Sequence, residues 1–141
     1  MLKVLQLAKY MRRVLMKFDI CVPILGFEHV KKVSLEKIDD IFMKMRSENE
    51  EHISFTLIDP FVLREYDFEV SDTIQELLQI DKNSNLIILN IVLIQSPIEN
   101  SVVNFISPMI FNTDNNRAAQ VILSDSPEYG VAEKISDFLK K

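Results

Sequence analysis

The chain has 141 residues, 48% of them apolar and 26% charged, enough for one domain that buries about two thirds of its unfolded surface and too few for two ordinary ones. This composition excludes a disordered tail, and no apolar run approaches the roughly 18 residues of a membrane span. The charge is lopsided: residues 1–15 hold Lys3, Lys9, Arg12 and Arg13 with no acid, and the remainder carries 12 basic against 21 acidic groups, a formal charge of −9 that repels phosphate backbones and argues against direct nucleic-acid binding.

The first segment, MLKVLQLAKYMRRVL, has too many charges for a secretory signal. Leu2, Leu5, Met11 and Leu15 have a weak helical spacing, and with four cations they describe a basic amphipathic helix that touches a membrane or an acidic partner. The alternative is a terminal arm, or upstream sequence ahead of a start at Met16. The folded domain is therefore expected over 16–141.

From Met16 onward the pattern is mostly that of strands. Phe18 to Val22 alternates until Pro23, which with Gly26 marks a turn, and residues 29–35 form a second short strand. In LEKIDDIFMKMRS, Leu35, Ile38, Phe42 and Met45 fit a helix face, while Phe42 to Ser47 also fits a strand, so that both readings stand. Residues 47–52, SENEEH, make a charged turn before a strand over 53–58. Asp59 precedes Pro60, which forces extended geometry on Asp59 and breaks the strand.

Tyr66 to Val70 resumes as a strand with Tyr66, Phe68 and Val70 on one face and Glu65, Asp67 and Glu69 on the other. Alternate residues lie roughly 6.8 Å apart, so the three carboxylates form a ladder within about one Debye length of each other. Asp72 and Gln75 have capping-box spacing for a short helix in which Ile74, Leu77 and Leu78 share a face and which ends near Ile80. The longest apolar run, LIILNIVLI at 86–94, is expected to be a central strand. Residues 101–112 read as a strand interrupted at Ser107 and Pro108, NTDNN as a hairpin turn, and Ala118 to Leu123 as the partner strand. Ala132, Ile135 and Leu139 predict a terminal helix. Many short strands with one or two short helices predict an all-β domain, a small antiparallel β-barrel.

Catalytic patterns are missing from this text. Cys21 has no second cysteine to pair with and no flanking cation to activate it, which suits a buried thiol in a reducing cytoplasm. His29 and His52 have no ligand partners at metal spacing, and with two glycines there is no phosphate loop. Two carboxylates about 6.8 Å apart match the separation in inverting glycosidases, but those enzymes place them on opposite sides of the bond, whereas Glu65, Asp67 and Glu69 leave one face of one strand. Neither enzyme activity, metal nor cofactor is expected. The ladder is either a solvated face that discourages aggregation or a docking strip for a cationic protein.

The run FTLIDPFVLREYDFEV at 55–70 resembles the central signature of the FliW flagellar assembly factors, in which a strand leads to a D-P-F turn and then a Y-x-F strand. PILGFE at 23–28, SVVNFISPMIFN at 101–112 and AQVILSDSPEY at 119–129 are similar to three further segments of that family, in the same order across about 110 residues. The resemblance departs at MKFDICV, which replaces an opening strand with an F-G-E turn, and at Val103-Asn104, where the family has Ala-Asn. It favours the strand reading of Phe42 to Ser47.

What the resemblance implies is a cytoplasmic, non-enzymatic barrel that binds flagellin and also CsrA, the RNA-binding repressor of flagellin translation. Export of flagellin then frees the protein to take CsrA off its message. No small-molecule partner is expected, and the competing reading is a small-ligand-binding β-barrel or weak hydrolase. For partner contacts the expected residues are Glu65, Asp67 and Glu69, with Asp59, Pro60 and Phe61 at one rim, Gly26, Phe27 and Glu28 at a second, and Asn104 in a bulge or groove. Tyr66 and Phe68 are expected in the core. The breaks at Pro60 and Pro108 are expected places for an edge that opens to a flagellin segment.

Overall fold

The computed structural model describes residues 2–3, 15–124 and 126–139. Eleven strands run in chain order: β1 Leu2–Lys3, β2 Met16–Val22, β3 Lys32–Lys37, β4 Phe42–Ser47, β5 Ser54–Ile58, β6 Glu69–Val70, β7 Leu86–Leu93, β8 Val102–Val103, β9 Met109–Asn112, β10 Arg117–Gln120 and β11 Glu133–Lys134. Helix α1 spans Asp72–Leu78 and α2 spans Ser136–Leu139. Apart from Leu2–Lys3 and Leu15, the expected basic helix of residues 1–15 lies outside the described residues.

Seven strands close a barrel in the order β7, β5, β4, β3, β2, β10, β9 and back to β7. All these pairs are antiparallel except β2 with β10, where Asp19 and Ile20 lie beside Arg117 and Ala118 in parallel. Phe42 to Ser47 is a strand. Met43, Met45 and Ser47 are buried at every second position, and each residue of Met43–Arg46 is paired on both sides, by β3 and by β5. The helical spacing was misleading because Ile38, one of its four members, sits exposed in the β3–β4 turn.

Alternation along the strands creates two apolar layers. Phe18, Val33, Leu35, Met45, Leu57, Ile87, Leu89, Met109, Phe111 and Ala118 come from all seven barrel strands and fill the interior. Ile58, Ile88, Ile110 and Ala119 face the other way and are covered by Tyr66, Phe68, Val70 and Leu78 and by Tyr129 and Ile135 of the C-terminal segment. Both faces of β7 are therefore buried, which accounts for its nearly continuous apolar text.

α1 starts one residue earlier than its expected cap. Ser71, in extended geometry, accepts from the Ile74 N–H, and Gln75 donates to the Val70 carbonyl. Gln79 ends the helix in the left-handed region at φ 55°, and buried Asn112 of β9 fastens that end by donating to the Leu78 carbonyl at 2.8 Å. Leu78 is buried, but Leu77 is 40% exposed, so the expected shared face narrows.

The terminal helix is shorter than its apolar spacing predicts. Glu133 and Lys134 pair with Val103 and Val102 as β11, which fixes their backbone as extended and leaves one turn of helix behind it. Ile135 is buried, while Ala132 and Leu139 are exposed. The thiol of Cys21 is only half-buried, against the expectation of a core cysteine.

Phe111 is fully buried, its ring 5.0 Å from that of Phe18 in an edge-to-face pair at the centre of the barrel. Phe111→Ala is expected to lower the unfolding free energy by about 3–5 kcal/mol, read from urea midpoints at constant slope.

Candidate functional site

Among the described residues Glu69–Val70 forms a strand, with Leu2–Lys3 as its antiparallel neighbour, and Glu65–Phe68 leads into it. The alternation expected for this stretch is present all the same, with Tyr66, Phe68 and Val70 buried and Glu65, Asp67 and Glu69 exposed. Side chains from the barrel hold this segment. The Tyr66 hydroxyl donates to the Phe105 carbonyl and accepts from the Asn90 side-chain amide at 3.1 Å. Tyr129 clamps the next residue reciprocally: its hydroxyl accepts from the Asp67 N–H at 3.1 Å and donates to the Asp67 carbonyl at 2.9 Å. The acidic strip is thus fixed to the barrel from beneath, at both of its inward-facing anchor points.

Arg64 introduces the strip from a cage. Its guanidinium carbon lies 4.8 Å from the ring centre of Tyr129, 5.2 Å from Phe105 and 5.5 Å from Phe138, and its Nη1 is 3.5 Å from Glu133 Oε1. This cation ties residues 64–69 to the C-terminal segment, a link for which the sequence offered only scattered aromatics.

The other expected residues divide into structural and exposed groups. Asp59 is buried and caps a single 3-10 turn over Pro60–Val62, its Oδ1 accepting from the Phe61 N–H at 2.9 Å. Pro60 is buried, and Phe61 packs against the outer apolar layer, 6.2 Å from Tyr66 between ring centres. These three shape the core beneath the strip instead of a rim. At the two prolines the Pro60 carbonyl accepts from Leu63 and Arg64, and the Pro108 carbonyl from Val121. Asn104 satisfies backbone at a gap in the sheet, where its N–H donates to the Ile91 carbonyl, its Oδ1 accepts from Ile106 and its own carbonyl accepts from Asn90.

Gly26, Phe27 and Glu28 form an exposed turn. Gly26 has φ 88°, a conformation costly for any residue with a Cβ, and Glu28 Oε2 accepts from its N–H at 2.9 Å. That hydrogen bond holds the Glu28 carboxyl below its ordinary range. Phe27 leans on Phe55, 4.9 Å away edge to face.

A feature missed in the sequence joins this turn to the strip. A groove of about 270 Å³ runs between Glu69–Val70 and Val121–Leu123, with Val22 and Ile74 in its walls. Gln120 on the same wall accepts from the Leu25 N–H at 2.8 Å, which sets the Gly26 turn beside it. Leu25 is 72% exposed and Ile122 52% exposed. The one available signal was an apolar residue, Leu25, placed inside a Pro–Gly turn.

Among the described residues no group of three His, Cys, Asp or Glu side chains is placed to hold a metal ion, and no helix is long and apolar enough to cross a membrane. The architecture is that of a small closed barrel whose distinctive surface is an anchored acidic strip beside an apolar groove. The family profile described as FliW protein matches residues 9–135, and the chain belongs to the FliW family. It is 71% identical over 126 residues to the flagellar assembly factor FliW of Sulfurimonas denitrificans, covering 89% of this chain and all of that protein. It is 44% identical over 129 residues to the flagellar assembly factor FliW of Campylobacter lari, covering 89% of this chain and 98% of that one. A crystal structure of the flagellar assembly factor FliW matches with a TM-score of 0.80 at 25% identity, covering 89% of this chain and 87% of that one.

Burial lifts the Tyr66 phenol above its ordinary range, with the Asn90 hydrogen bond pulling the other way. A folded-state value above the unfolded one means that this stabilisation is complete below the unfolded value of about 10 and is lost as pH rises beyond it. Tyr66→Phe is therefore expected to cost about 1–3 kcal/mol at neutral pH and to flatten the fall in stability between about pH 9.5 and 11, measured by urea unfolding across that range.

Proposed function

We propose that this protein is a cytoplasmic flagellar assembly factor that binds flagellin and sequesters CsrA, relieving repression of flagellin translation by exchange of partners. Membership of the FliW family and the names carried by its relatives support the flagellar role. The observation that carries the exchange reading is the acidic strip: three exposed carboxylates, Glu65, Asp67 and Glu69, held in register by buried Tyr66, Phe68 and Val70. A surface of this sign attracts a basic RNA-binding protein and repels the RNA, so the repressor is drawn off without the transcript following. Exchange requires each partner to weaken the other's binding, through a shared surface or a coupling of about 1–3 kcal/mol. A small-ligand barrel needs an interior cavity, and here the interior is packed with Phe18, Phe111, Met45 and Met109.

The test mixes purified protein with flagellin and with CsrA. Each is expected to be retained in low salt, and each to deplete the other; retention of neither ends the proposal. Reversing Glu65, Asp67 and Glu69 to Lys together is expected to slow CsrA association by tenfold or more and to flatten its salt dependence, with the unfolding midpoint little changed. Unchanged association kinetics would return the strip to an ordinary solvated face.

A further inference from the structure

The partner-binding proposal leaves the contact surface unassigned, and one edge of the molecule has the chemistry to supply it. β6 offers a short strand edge on which the chain's own Leu2–Lys3 sits antiparallel, Leu2 opposite Val70 and Lys3 opposite Glu69. That neighbour is one apolar and one basic residue, drawn from a segment of the same character: residues 1–15 carry four cations and no acid. The edge therefore accepts an added backbone, and the sequence lying on it is complementary in charge to Glu65, Asp67 and Glu69.

Beside the edge lies the groove walled by Val22, Val70, Ile74, Val121 and Ile122, with Glu69 at its lip. Val22, Val70, Ile74 and exposed Ile122 give it an apolar lining of the kind that alternate side chains of an added strand fill. Backbone pairing, apolar pockets and a row of carboxylates coincide here. We propose that the Glu69–Val70 edge and its groove form a strand-addition site for an extended partner segment built of apolar and basic residues. The proposal rests on the partner-exchange reading and names the surface used. Leu2–Lys3 occupies the edge as an intramolecular competitor that a partner segment displaces.

The probe is a fluorescent synthetic peptide with the sequence of residues 1–13, MLKVLQLAKYMRR, titrated in low salt against the full chain. A double variant, Leu2→Pro with Lys3→Pro, removes the ladder donors of the resident strand and is expected to bind the peptide at least tenfold more tightly than the parent. Adding Ile122→Asp or Glu69→Lys to that double variant is expected to reverse the gain. A peptide with its four cations replaced by Glu is expected not to bind. Circular dichroism melts establish that each variant is folded.

Absence of peptide binding to the folded double variant overturns the site, as does equal binding by its Ile122→Asp and Glu69→Lys derivatives. If the peptide fails while flagellin and CsrA are still captured, this surface is wrong and the exchange reading stands. If the peptide binds as expected and neither protein is captured, the site stands and the exchange reading falls.

Discussion

The structure depends on one strand having two different partners along the same edge. β7 pairs with β9 from Leu86 to Leu89 and with β8 at Val92 and Leu93. Where one ladder hands over to the other, the Asn104 N–H takes the Ile91 carbonyl and the buried Asn90 side chain reaches the Asn104 carbonyl and the Tyr66 hydroxyl. A gap in a buried sheet leaves backbone groups that must be satisfied, and these side chains satisfy them. Barrel closure by β9 and attachment of the C-terminal segment through β8 both follow from that handover.

The same knot determines where the acidic strip lies. Tyr66 reaches into the gap, and Tyr129 grips the backbone of Asp67. The acidic strip is thereby joined to the interior and, through Arg64, Tyr129 and Glu133, to the C-terminal segment. Changes at the aromatic cage would be transmitted to the carboxylates through short, hydrogen-bonded and packed contacts, with no need for a moving domain.

Much of this was legible from residue pattern alone because burial on a strand has a period of two. LIILNIVLI gave away the central strand, the Asp59-Pro60 break fell where β5 ends, and the alternation at 65–70 placed its carboxylates outward. The failures share a cause: a local signal was overridden by a partner distant in sequence. Ala132, Ile135 and Leu139 have helical spacing, yet β8 captures Glu133 and Lys134 first. The groove between Glu69–Val70 and Val121–Leu123 joins segments that nothing local relates, and the parallel pairing of β2 with β10 is invisible to any window.

That parallel pairing bears on how the chain is made. Among the described residues β2 precedes the other barrel strands in the chain, and one of its two neighbours, β10, follows all of them. The meander from β2 to β5 is able to assemble early from adjacent hairpins, but its open side waits until Gln120 has emerged, a closure between distant parts of the chain whose loop entropy must be met before any contact rewards it. Until then the apolar lining of the half-built barrel has no lid. A nascent chain truncated before β10 is accordingly a sticky intermediate, its inner face open to whatever lies nearby.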